Sequence, residues 1–431
     1  MIFDEMLILF NTNFLSFLIA LGIFVTWMII SSRTFSSYNS YMTKTRTNNK
    51  SDIRSAYFKN LPPVSIIIPA RNEEVNIERC LLSIVNQNYP NFEVILIDDN
   101  SNDDTVQKAR SLQRKIKPKF QNLKIIELKS KPQDWTGKTW ASEKGFLSSR
   151  HNMLLFLDAD CYYAENCIYF AISEMISKEL DVVTGYPFFV LKDFWSKISI
   201  PLWKLMSFTF QDDASHVNDP KSSVAYLMGC FFMIKRHALI GIGSFASVKN
   251  AIQEDKELGQ KLKNSGYKIK MVQMDKFILA IWSRNLSTLW QGIARTISPM
   301  MLYQKKKVFI NFVAIFVLAV FPSILIVTNL FLNMQAQSPI GSIFNNYLEL
   351  IFFILYLLTY GLSAFSVAIK LINMCEISAW YALLFPLGGL FLTSVYLATM
   401  LPLILCIRRS SKKIVWKGRT YTYNRIGSKM I

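Results

Sequence analysis

Apolar residues fall into long unbroken runs at both ends of this chain and into short runs of four or five in its middle, and the two patterns predict different structures. The first long run, residues 14–30, is near the ~17 to 25 residues that a bilayer-spanning helix needs. It is too long and too poorly flanked to be a cleaved signal, so we read it as an anchor. Three more runs close the chain, at 308–332 behind Lys305, Lys306 and Lys307, at 347–369, and at 377–407 ahead of Arg408 and Arg409. Between the ends, Val64, Ile66, Ile67 and Ile68 predict a buried strand stopped by Pro69. Val75, Ile77, Leu81 and Val85 then recur at helical spacing. Val94, Ile95, Leu96 and Ile97 predict a second strand running into Asp98 and Asp99, and the acidic turn Asn100 to Asp104 opens a helix bearing Val106 and Ala109. Two strand-helix units joined in this way predict an α/β fold with a parallel, doubly wound sheet, extended by strands at 124–128 and 154–157.

The organisation follows from these runs. We expect an N-terminal transmembrane anchor at 1–32, a polar linker rich in Ser, Asn and Lys at 33–62, an α/β domain with interfacial helices at 63–304, C-terminal transmembrane helices at 305–407 and a basic tail at 408–431. Asp4 and Glu5 precede the anchor while Arg33, Lys44, Arg46 and Lys50 follow it, which puts the α/β domain in the cytoplasm by the positive-inside tendency. One helix before the domain and three after would then place the basic tail outside, against the same tendency. Pro386, Gly388, Gly389 and Pro402 leave open that the last run makes two short or re-entrant passes. The amphipathic stretch 194–210, with Trp195, Trp203 and Lys197, and the stretch 286–301, with Trp290 and Arg295, are too polar to span. Each reads equally as a helix in the membrane interface or as a core helix.

Charge and cysteine usage narrow the class. The net charge of +18 would suit nucleic acid, but the basic residues cluster beside apolar runs, where anionic headgroups lie, so we expect the lipid bilayer and no nucleic acid as partner. Cys80, Cys161, Cys167, Cys230, Cys375 and Cys406 show no metal spacing and read as packing residues. His151, His216 and His237 are scattered without metal spacing.

Ligands of an open α/β sheet sit beyond the carboxyl ends of its strands, and that is where the acids gather. Asp158 and Asp160 follow an apolar strand and could share a hard divalent cation that neutralises a leaving diphosphate; the plain alternative is a solvated acidic turn. Asp98 and Asp99 could accept hydrogen bonds from a base or ribose, or could cap the following helix. Glu254 and Asp255 open a helix carrying Leu258 and Leu262, where a carboxylate can serve as general base or only offset the helix dipole. The run Asp134 to Trp140 reads as a phosphate-contacting loop, with Gly137 allowing close approach and Lys138 supplying charge. It lacks the upstream glycine of a Walker A loop.

In order, Val64 to Glu74 (VSIIIPARNEE), Ile97 to Ser101 (IDDNS), Asp158 to Asp160 (DAD) and Glu254-Asp255 resemble the signature of family-2 glycosyltransferases with the GT-A fold, over roughly residues 60–300. The segments Trp135 to Ala141 (WTGKTWA) and Trp416 to Tyr421 (WKGRTY) resemble the membrane-bound branch of diaponeurosporenoate (carotenoid) and hopanoid-associated enzymes. The resemblance implies a Rossmann-like, mostly parallel GT-A domain carried on membrane helices. It implies inverting transfer of a sugar, glucose first, from a UDP-sugar donor to a membrane lipid acceptor such as a carotenoid. Mg2+ or Mn2+ would sit at Asp158 and Asp160. Pro69, Ala70, Arg71, Glu73, Asp98, Asp99, Lys138 and Asp158 would bind the donor, and Asp255 would be the catalytic base. One departure stands out: Trp290 to Arg295 lacks the Gln-x-x-Arg-Trp signature of processive polysaccharide synthases. That turns the expectation from polymer toward a single transfer, with a polysaccharide synthase and a non-catalytic membrane scaffold as the rival readings.

Overall fold

The computed structural model describes residues 15–36, 61–116, 122–210, 214–335, 343–404, 411–416 and 419–424. The expected linker lies almost wholly outside them, as does much of the basic tail. The chain forms two compact units. One comprises 1–52, 192–211 and 285–404, and the other 53–191, 212–284 and 405–431. Each is a continuous packing unit made from separate stretches of sequence.

Helix α1 (Leu15–Ser36) belongs to the first unit. The second unit opens with β1 (Val64–Ala70), α2 (Ile77–Val85), β2 (Phe92–Asp98), α3 (Thr105–Lys115) and β3 (Leu123–Glu127). It continues through α4 (Gly137–Ser148), β4 (Met153–Leu157), β5 (Cys161–Tyr163), α5 (Cys167–Ser177), β6 (Val182–Tyr186) and β7 (Phe188–Val190). Helix α6 (Phe194–Phe210) falls in the first unit. The chain then returns to the second with α7 (Ala214–Asn218), β8 (Phe231–Lys235), α8 (Arg236–Gly241), α9 (Glu254–Asn264), β9 (Ile269–Gln273) and β10 (Ile278–Ile281).

Seven strands make one sheet in the order β3-β2-β1-β4-β8-β6-β9. Neighbours are parallel from β3 to β4 and between β6 and β9, and antiparallel on both sides of β8. The four strands expected from the apolar runs are all present, and every residue of β4 is buried, as a strand covered on both faces must be. Val75 departs from expectation: α2 starts two residues later, and Val75, in the turn before it, is 67% exposed. Cys80, Cys161, Cys167 and Cys230 are buried free thiols. Below the sheet, Phe156 stacks on Phe232 at 4.9 Å, and α4 crosses β1 and β2 so closely that a Cβ on Gly145 would collide with Ile67.

The first unit holds α10 (Leu286–Tyr303), α11 (Lys305–Ile315) continued by a π-helical stretch into α12 (Phe321–Gln335), α13 (Ile343–Cys375) and α14 (Phe385–Ile404). Among the described residues, four helical segments, Leu15–Ser36, Lys305–Thr328, Leu350–Ile372 and Ala379–Leu401, are long and apolar enough to cross a membrane. Polar side chains tie them together: Trp27 Nε1 donates to the Leu318 carbonyl at 2.8 Å, and the Ser31 and Ser366 hydroxyls lie 2.8 Å apart. Such bonds between apolar helices are each worth on the order of 1 kcal/mol and fix which faces meet. The two amphipathic helices pack inside this unit. Trp195 of α6 and Trp290 of α10 both meet Phe391 of α14, and Gly388 lets α14 approach the backbone of α6 at Ile198. After them, β11 (Ser411–Trp416) and β12 (Arg419–Asn424) pair antiparallel as a hairpin that belongs to the second unit.

Overpacking a core typically costs about 1 to 3 kcal/mol, so Gly145→Val should lower the thermal unfolding midpoint of the purified protein by several degrees. An unchanged midpoint would show that α4 can lift from β1 freely.

Candidate active site

The acids that the sequence scatters over a hundred residues converge on one lysine. Lys138 is the second residue of α4, whose N-terminus is fixed by Thr136: its side chain accepts from Thr139 N–H, and its own N–H donates to the Lys249 carbonyl at 2.7 Å. From there the Lys138 ammonium lies 2.8 Å from Asp158, at the end of β4, and 3.0 Å from Glu254, at the start of α9. Asp255 completes the group. Its carboxylate accepts from Gly229 N–H at 3.2 Å and Lys256 N–H at 2.8 Å, and any Cβ at Gly229 would crowd both Asp255 and Lys138. Burial alone would lower the Lys138 pKa, but Asp158, Glu254 and Asp255 outweigh it and raise it well above the usual lysine value. Burial pushes Asp158 up to about 6 against the pull of Lys138, and Asp160 adds to the rise. Burial, then Glu254, pushes Asp255 up to about 6, again opposed by Lys138.

The residue before Lys138 joins this group to a second one. A side chain at Gly137 would collide with the Asp99 carboxylate and the Arg419 guanidinium, so glycine is required there by close approach. Asp98 and Asp99 do different things. Both Asp98 oxygens are taken by Ser101, from its backbone N–H at 3.0 Å and from its hydroxyl, in a turn where Asn100 is left-handed (φ 54°). Burial raises Asp98, offset in part by those two bonds. Asp99 N–H donates to the Ala70 carbonyl at 2.8 Å, Oδ2 pairs with Arg419, and Oδ1 is buried with no partner among the described residues. An unsatisfied buried acceptor costs about 1 to 3 kcal/mol, which marks this oxygen as waiting for a donor.

The remaining expected residues divide. Arg71 donates to the carbonyls of Asp99 and, at 2.6 Å, of Asn100, so it shapes the loop after β2. Pro69 and Ala70 end β1 beside Ile97 and Asp98 of β2. Glu73 is buried and accepts from Asn76 at 2.6 Å, and Asn76 in turn accepts from Arg284 at 2.5 Å, so its described bonds serve the start of α2. Asp160 takes a weak contact from Cys161 Sγ at 3.5 Å, while the Asp158 carbonyl is gripped by the Tyr163 hydroxyl at 2.9 Å.

Among the described residues no group of three His, Cys, Asp or Glu is placed to hold a metal ion. Asp158 and Asp160 nevertheless fit a hard divalent ion of the kind that takes one or two protein carboxylates and fills its shell with phosphate oxygens and water. They offer only oxygen donors, and Lys138 already holds a positive charge against Asp158. Reasoning from sequence missed Arg419, whose motif was noted without a role. It also missed Gly229 and the sharing of Lys138 by three carboxylates.

The sheet is mixed and mostly parallel with acids beyond its strand ends, in keeping with the GT-A fold expected from the sequence. Residues 65–243 match the family model described as Glycosyl transferase family 2, and this stretch is a family-2 glycosyltransferase domain. The chain is similar to the probable glycosyltransferase YdaM of Bacillus subtilis, 28% identical over 214 residues, which is 49% of either chain. It thus spans about half the length of that relative. It is also similar to 4,4'-diaponeurosporenoate glycosyltransferase of Staphylococcus aureus, 23% identical over 372 residues, covering 85% of this chain and 90% of the other. Among solved structures it resembles the mannosyltransferase PcManGT of Pyrobaculum calidifontis, in complex with GDP-Man and Mn2+. The identity is 16%, with 89% of this chain and 99% of that one covered and a TM-score of 0.46.

Replacing Lys138 by Met strands the carboxylates around it. Breaking a buried pair costs about 3 to 5 kcal/mol; with partial exposure we expect about 1 to 3. The sign with pH is fixed, because raised carboxylate pKa values mean that the folded state binds more protons than the unfolded one, so stability falls as pH rises. In chelator, Lys138→Met should therefore lose little thermal stability at pH 5 and most of it by pH 8. An equal loss at both would show that Lys138 does not balance these acids.

Proposed function

We propose that this chain is an inverting glycosyltransferase that moves a hexose, with glucose the first candidate, from a UDP-sugar to a membrane lipid. A carotenoid or another isoprenoid or glycolipid precursor is the acceptor class. The enzyme works as a multi-pass protein of the cell membrane with the 63–304 domain in the cytoplasm. The observation that carries this reading is the meeting of Lys138 with Asp158, Glu254 and Asp255 directly beside the free acceptor of Asp99. The apolar helices at both ends and the name of the staphylococcal relative support the lipid acceptor.

Asp99 Oδ1 accepts a hydrogen bond from the nucleobase, and the Pro69–Arg71 turn lines that end of the donor. Lys138 and the N-terminus of α4 meet the diphosphate with positive charge. Asp158 and Asp160 would hold Mg2+ or Mn2+, which when bound would add positive charge beside the diphosphate. Asp255 removes the proton of an acceptor hydroxyl as its oxygen bonds to the anomeric carbon and the carbon–diphosphate bond breaks on the opposite face. A single displacement inverts that carbon. A carboxylate acceptor is already ionised at neutral pH and needs no base.

Membranes containing the protein, given labelled UDP-glucose and other UDP-sugars in parallel, should form a chelator-sensitive lipid one sugar heavier than its precursor. Labelled polymer without labelled lipid would instead indicate a synthase, and no product from any donor would overturn the reading. Asp158→Asn with Asp160→Asn should reduce transfer at least 100-fold, comparable to losing a major charge-stabilising group; unchanged transfer would support a scaffold. With a hydroxyl acceptor, Asp255→Asn should abolish turnover. The wild-type rate should then decline as pH falls through about 6, where Asp255 takes up a proton. Transfer that survives Asp255→Asn would assign a carboxylate acceptor and remove the base role.

A further inference from the structure

The strands β11 and β12 lie far from the sheet in sequence, yet the first residue of β12, Arg419, reaches Asp99 at the end of β2. Its Nη1 pairs with Asp99 Oδ2, and its Nη2 faces the Asp99 carbonyl at 3.4 Å, across 320 residues of chain. The pair is secluded, with side-chain exposures of 17% for Arg419 and 6% for Asp99. Arg71 approaches the same Asp99 carbonyl, and Gly137 leaves room for Asp99 and Arg419 together. Oδ2 is thus occupied while Oδ1 is left free and buried.

We infer that Arg419 is a positioning residue of the donor site, fixing Asp99 by one carboxylate oxygen so that the other faces the nucleobase. This rests on the glycosyltransferase reading above. A guanidinium suits the task because its planar fork can bond the carboxylate and the carbonyl of one residue at once, whereas an ammonium offers only a point charge. The effect is confined to the nucleotide end of the donor. Losing Arg419 should therefore weaken the donor and the free nucleoside diphosphate equally and leave bond breaking much less affected.

The test uses the full-length protein in detergent or native membranes, with UDP binding measured by calorimetry beside donor KM, kcat and inhibition by UDP. Arg419→Gln should raise the UDP dissociation constant and the donor KM by the same factor, tenfold or more, with kcat falling far less. Arg419→Lys should recover part of the affinity. In an Asp99→Asn background, Arg419→Gln should add little, because the two act as one unit. UDP affinity unchanged in Arg419→Gln, or a fall in kcat with KM unchanged, would overturn the inference. A lowered thermal midpoint with unchanged UDP binding would also overturn it, since it would make Arg419 only a structural tie. Wild-type protein that binds no nucleoside diphosphate at all would overturn the glycosyltransferase reading itself.

Discussion

A single ammonium group, that of Lys138, lets Asp158, Glu254 and Asp255 occupy one half-buried space. Without it, three acids brought together from β4 and α9 would repel one another in a medium that screens poorly. The fold is arranged to deliver that cation. Thr136 fixes the start of α4, Gly145 seats the helix against Ile67, and Gly229 keeps the space beside the ammonium open. The arrangement is tense in a useful way, since an anion bearing phosphate charge would compete with the carboxylates for Lys138. A ligand bound there would redistribute an existing balance of charge and would not have to create one.

The centre of the sheet was legible because β1, β2 and β4 are buried on both faces. The run Met153 to Leu157 has no polar residue, and no other element of that length can be apolar throughout and still be placed so easily. Val75 was misread because helical spacing continues backwards past Asn76 into a turn, where periodicity carries no information. The acids were legible as a set, since each follows a strand or opens a helix. Their individual duties were not: Asp98 and Asp99 are adjacent and identical, and only the placement of Ser101 and Arg419 separates a turn-forming carboxylate from one with a free oxygen. Arg419 could not be found by spacing, because no local periodicity links positions 320 residues apart.

The pairing of Arg419 with Asp99 also constrains the membrane part. Under the membrane reading proposed above, Asp99 and Arg419 lie on one side of the bilayer, so the chain between residues 304 and 405 would return to the side it left. Three candidate spans lie in that interval, and under that reading an even number of crossings would leave at least one of them short of a complete pass. The segment Ala379–Leu401 stands apart from the others: over half of its apolar stretch is buried, it begins as a 3-10 turn, and its Phe391 meets Trp195 and Trp290. Those are properties of a packed helix more than of one facing lipid on most sides.

A site that borrows a residue from the far end of its own chain is finished late. At roughly 5 to 20 residues per second of synthesis, the ribosome needs on the order of 15 to 60 s to travel from Asp99 to Arg419. During that interval the helices of residues 305–404 emerge and must find their places. The sheet can close and Lys138 can gather its acids long before then, but the partner of Asp99 arrives only with the last strand. A chain that stalls or is clipped within its helices would therefore carry the sheet without Arg419, and under the reading proposed above its Asp99 would lack the partner that fixes it.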